Sequence, residues 1–105
     1  MQLPEEPNSS ARCLHLVAGA GQGALAECLA QTAPGDYVVF LDAGVLHLLS
    51  AAAALPTSPG EVFFADADLR AHGLLEVARD AQAGVINDAG ICGLLARCEH
   101  CLTWS

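Results

Sequence analysis

Five consecutive apolar residues, Tyr37-Val38-Val39-Phe40-Leu41, stand between the turn signal Pro34-Gly35-Asp36 and the breaker Asp42-Ala43-Gly44. A strand with one wet face alternates apolar and polar residues. A strand that reads apolar without interruption is covered on both faces, as the strands of parallel sheets are. A parallel neighbour can be reached only by a crossover, usually a helix. This segment therefore asks the rest of the chain to alternate strands with helices.

The flanking sequence does so. Cys13-Leu14-His15-Leu16-Val17-Ala18 predicts a first strand, broken by Gly19-Ala20-Gly21-Gln22-Gly23. Ala24 to Thr32 predicts a helix with Leu25, Cys28 and Leu29 on one face. Val45 to Leu55 predicts a second helix, and Pro56 to Gly60 a loop. Val62 to Ala65 predicts a third strand. Asp66 or Asp68 then caps a short helix, Leu69 to His72, that Gly73 ends, and Leu74 to Asp80 continues helically. Gly84-Val85-Ile86 predicts a fourth strand, after which Asn87 or Asp88 caps a last helix over Ile91 to about Cys101. The pattern is that of an α/β fold: a single small domain, with a mostly parallel sheet of about four strands and helices on both faces. Residues 1–12 are polar and contain two prolines, and predict a flexible tail before a domain spanning 13–105.

Composition removes several function classes. The formal net charge is -8, with four Arg and no Lys, which argues against nucleic acid and anionic membranes as direct partners. No apolar run reaches transmembrane length, and Glu5 and Glu6 stand where a signal peptide would be basic, so a cytoplasmic protein is expected. The five cysteines, an odd number, then read as reduced thiols. A hydrophobic fraction of 53% in so short a chain implies a sheet covered on both faces, an apolar surface for a partner, or both.

Three local features could carry chemistry. Gly19-Ala20-Gly21-Gln22-Gly23-Ala24 follows a strand, opens a helix and matches a dinucleotide-binding turn, with Asp42 at the end of the next strand where a ribose-binding acid would sit. Yet about four strands cannot supply both halves of a dinucleotide fold, and the reading these residues favour is a plain glycine-rich βα turn, with nucleotide binding as the alternative. Cys98-Glu99-His100-Cys101, with Cys92 six residues upstream, offers thiols for a zinc site or for packing. In a helix these residues cannot all point one way, and a helix C-terminus disfavours thiolates. Cys28, between Leu25 and Leu29, is either a core thiol or one that carries sulfur, and no basic neighbour is at hand to activate it. His15 reads as a packed residue of the first strand. No cofactor and no metal are expected.

Leu14-His15-Leu16-Val17, then Gly35 to Val45, then Asp68-Leu69-Arg70-Ala71-His72-Gly73-Leu74, and finally Ile91 to Leu95 with Trp104, together resemble the TusB/DsrH family. The resemblance spans 13–105. It implies a DsrE/DsrF/DsrH-like fold and a place in a sulfur-relay complex. Two sister α/β subunits, TusC/DsrF-like and TusD/DsrE-like, would complete a heterohexamer. That complex takes persulfide sulfur from small carrier proteins and passes it to tRNA wobble-uridine 2-thiolation or to dissimilatory sulfur oxidation. The principal sulfur-carrying cysteine lies on a sister subunit, so this chain would be mainly structural or auxiliary. The resemblance marks Cys28 as the auxiliary sulfur acceptor and Asp42, Gly44 and Trp104 as interface or structural residues. The chain departs from the family at the Gly19–Gly23 turn, at Asp42-Ala43-Gly44 and at His72.

Overall fold

The computed structural model describes residues 12–50 and 60–105. The expected tail lies outside these except for Arg12, as do the end of the second helix and most of the loop after it.

Five strands form one sheet: β1 (Cys13–Val17), β2 (Tyr37–Phe40), β3 (Glu61–Ala65), β4 (Val85–Ile86) and β5 (His100–Trp104). Their order is β4-β3-β2-β1-β5, and every neighbouring pair is parallel. All four residues of β2 are buried, as the unbroken apolar run requires. The helices are α1 (Gln22–Gln31), α2 (His47–Ser50, led in by a 3-10 turn over Asp42–Leu46), α3 (Asp66–Ala71), α4 (Leu75–Asp80) and α5 (Asp88–Arg97).

The sheet has one strand more than expected. The last helix was predicted to reach about Cys101, but α5 stops at Arg97 and Cys98 turns extended, with φ -97° and ψ 139°. The amides of Glu99 and His100 both donate to the Arg12 carbonyl and start a strand there. Every residue of β1 then gains a partner on β5, from Cys13 beside His100 to Val17 beside Trp104. Without β5 a central strand would keep one bare row of amides and carbonyls, and pairing them outweighs the weak helical preference of Cys-Glu-His.

One cap also differs from expectation. Neither Asp66 nor Asp68 caps α3: Ala65 holds the N-cap position, and Asp66 lies inside the helix, where it pairs with Arg70 at 3.1 Å. Asn87 does cap α5, accepting from the Gly90 amide at 2.9 Å. Gly73 ends α3 with φ +69°.

Strand order dictates which face each helix covers. The crossovers from β1 through β4 all step the same way along the sheet, and with right-handed connections they stack on one face. The return from β4 to β5 crosses the other face, carrying α5. The crowded face buries Val17, Val38, Phe40 and Phe64 under residues of α1, α2, α3 and α4, with the Phe40 and Phe64 rings stacked at 4.8 Å. Among the described residues the α5 face buries Leu14, Tyr37, Val39 and Leu94, leaving Leu16, Leu41, Phe63, Ile86 and Ile91 partly exposed around them.

Candidate functional site

A histidine inside an apolar strand must find partners for both ring nitrogens. His15 is 1% exposed on β1 and finds them at opposite sides. Trp104 Nε1 donates to Nδ1 at 3.2 Å, and the two rings lie nearly parallel with centroids 6.2 Å apart. An indole N–H only donates, so Nδ1 carries no proton and the ring's proton sits on Nε2. Nε2 then donates to Asp36 Oδ2 at 3.2 Å.

Asp36 is the residue before β2, set there by a turn in which Gly35 takes φ +92°. Its carboxylate also accepts from the Cys13 amide at 3.1 Å and the Ala33 amide at 3.0 Å. Burial opposes its ionisation, but these two amides and His15 outweigh burial and hold the carboxyl below the usual aspartate range. One carboxylate thus ties together the start of β1, the turn before β2 and, through His15, the end of β5.

Cys13 stands beside this group. Its thiol is pushed up by burial, and the nearby Asp36, Cys101 and Cys98 add to that. The ligand atoms of Cys13, His15 and Asp36 all lie within 4.8 Å of one another. A cation on Nε2 would displace the proton held there, while Trp104 keeps its own N–H aimed at the only other ring nitrogen. The arrangement fits a hydrogen-bonded relay and does not fit a metal centre.

The residues singled out in the sequence are dispersed. Cys28 is fully buried in α1, its thiol pushed up to about 11 by burial, and Thr32 Oγ1 donates to its carbonyl at 2.8 Å. It is a core thiol as packed, not a ready nucleophile. Asp42 opens the 3-10 turn with φ +50° and an exposed carboxylate. Gly44 is buried, and a Cβ there would overlap the Val17 carbonyl oxygen. Trp104 belongs to the relay.

The Gly19–Ala24 turn does lie at the carboxyl ends of the strands, where α/β sheets usually take ligands. Its first glycine is crowded, whereas Gly21 and Gly23 face open space. A Cβ on Gly19 would come within 2.9 Å of the Ser105 backbone, and His47 Nε2 donates to the Gly19 carbonyl at 2.8 Å. The expected helical grouping of Cys98 and Cys101 is corrected as well. Cys92 is exposed on α5, Cys98 is half-buried at its C-cap, and Cys101 is exposed on β5. Among the described residues the three do not converge on a common ligand position, as Cys13, His15 and Asp36 do.

The relay was the part that sequence reasoning missed. Its one local signal was a histidine in the middle of an apolar strand, a residue that burial obliges to find partners.

No helix among the described residues is long and apolar enough to cross a membrane. No protein-family model matches the chain, and neither does any curated protein.

Proposed function

We propose that this chain is a structural subunit of a cytoplasmic sulfur-relay complex of the TusB/DsrH type. The unequal cover of its sheet carries the reading. Among the described residues, one face lies under four helices, whereas α5 alone spans the other and leaves Leu16, Leu41, Phe63, Ile86 and Ile91 partly exposed. On the outside of α5, Leu95 is 47% exposed. Apolar surface of this kind is what the centre of a stable subunit interface contains. The sister chains, TusC/DsrF-like and TusD/DsrE-like, are the proposed cover.

The division of labour follows from the thiols. Cys28, the residue that the family resemblance nominates as sulfur acceptor, is enclosed and has its thiol pushed up to about 11, which supports a sister subunit as the principal sulfur carrier. The net charge of -8, with Arg70 and Arg79 paired to acids on their own helices, supports a subunit that keeps away from tRNA, whichever acceptor receives the sulfur.

Co-expression with the two sister chains, followed by size-exclusion chromatography with light scattering, tests the proposal. A complex of about six chains is expected, and Leu95→Asp should release this subunit from it. A monomer that ignores both sisters overturns the reading.

A further inference from the structure

Three side chains form a row across the sheet where its strands begin, on the face that α5 covers. In-register pairing sets Leu14 beside Tyr37 and Tyr37 beside Glu61. Alternation puts Arg12, two residues before Leu14, on that same face. Arg12 Nη1 donates to the Tyr37 hydroxyl at 3.1 Å, and the guanidinium lies 5.9 Å from the centre of the Tyr37 ring. The row borders a pocket of about 250 Å³ lined by Arg12, Gly35, Asp36, Tyr37, Gly60 and Glu61.

The charges around this pocket are uncommitted in a particular way. Arg70 and Arg79 pair with acids on their own helices, but Arg12 has no carboxylate within ion-pair distance among the described residues. The Tyr37 hydroxyl, rather than a carboxylate, holds it in place. Glu61 is exposed and likewise has no ion-pair partner among the described residues. The Asp36 carboxylate is already taken by Cys13, Ala33 and His15. Among the described residues, one guanidinium and one carboxylate therefore remain to serve a common small space.

A bare anion there would meet Glu61 on a chain of net charge -8, and a bare cation would meet Arg12. A molecule carrying both a carboxylate and an ammonium group satisfies each with a charge-assisted hydrogen bond. The volume falls short of the roughly 300–1,000 Å³ of pockets that hold drug-sized ligands, so the ligand has few atoms. At Gly60 the wall is backbone: a Cβ there would come within 2.9 Å of the Asp36 carbonyl oxygen and of Thr32 Cγ2.

We infer that this pocket binds a small zwitterion, an α-amino acid with a short side chain, its carboxylate on Arg12 and its ammonium group on Glu61. The test is a titration of the full chain with L-alanine, followed by amide chemical shifts, with propionate and ethylamine as probes that each keep one charge. Alanine should shift the amides of Arg12, Gly35, Tyr37 and Glu61 in one saturable process. Propionate and ethylamine should bind at least tenfold more weakly. Glu61→Gln changes an exposed side chain, and Arg12→Gln is checked for folding by its unchanged shifts elsewhere; each should weaken alanine at least tenfold. No response of these amides to millimolar alanine overturns the inference. So does propionate binding as tightly as alanine, or Glu61→Gln binding alanine as the parent does.

Discussion

Trp104 donates its indole N–H to Nδ1 of His15 across 3.2 Å, from 89 positions away in the chain. Trp104→Phe keeps an aromatic ring and deletes the donor, leaving Nδ1 buried without a partner. That should cost about 1–3 kcal/mol. In a domain of this size each kcal/mol corresponds to roughly 4–8 °C in Tm, which calorimetry would resolve. A Tm unchanged within error would mean that the contact holds nothing together.

Asp36 gives the fold an acid limb. Its carboxyl is held below the usual range in the folded state, so below the ordinary aspartate value of about 4 the unfolded chain binds the extra proton first. The stability it contributes is complete above that value and drains away as the pH falls through the lowered folded one. Asp36→Asn should remove this part of the pH dependence. It should also cost about 2 kcal/mol at neutral pH, because hydrogen bonds to a charged acceptor are replaced by weaker ones. Denaturant melts between pH 7 and pH 3 check both outcomes.

These two residues mark the line between what sequence could and could not reveal. Tyr37 to Phe40 was legible because burial on both faces writes itself into an unbroken apolar run. Asn87 was legible because a cap is a local event. Strand β5 was hidden: all of its residues but Trp104 are exposed, so no burial pattern betrays it, and its cause is the open edge of β1. The relay was hidden for the same reason. Its three side chains are neighbours only once β1, β2 and β5 lie side by side, and no spacing in the chain encodes that. The cysteine motif misled because Cys98 and Cys101 read as one helical turn, whereas Cys98 ends the helix and Cys101 stands on the strand.

Cys28 should resist modification in the native protein. Its thiol is enclosed and pushed up to about 11, whereas Cys92 and Cys101 are exposed. A thiol reagent at neutral pH should label the exposed pair promptly, and Cys28 only after denaturation, as peptide mass analysis would record. The sign of the linkage follows. Because the folded value exceeds the ordinary 9.0, Cys28 contributes stability below pH 9 and loses it as the pH rises toward 11. Cys28→Ser should cost about 1–3 kcal/mol for a buried hydroxyl.

Two glycines should answer in opposite directions. Gly44→Ala forces a methyl group into the Val17 carbonyl and should destabilise by about 3 kcal/mol or more. Gly23 lies in the first turn of α1 with open space where a Cβ would stand. Gly23→Ala should stabilise by about 0.5 kcal/mol through helix propensity. Paired urea melts measure both, and a destabilised Gly23→Ala would point to a demand on that turn beyond the fold.

The strand order has a consequence for how the protein is made. Of the five strands β1 is the first to leave the ribosome, yet it lies between β2 and β5, and its Val17 waits for Trp104 as a neighbour. At roughly 5–20 residues per second, some seconds of synthesis separate the two. During that interval the nascent chain can complete β1 through β4 but must carry a sticky, unpaired strand edge, with His15 still lacking the indole that will seal it. Newborn chains, rather than finished ones, are where this fold is exposed to mispairing and where a chaperone or an early-binding subunit would do most good.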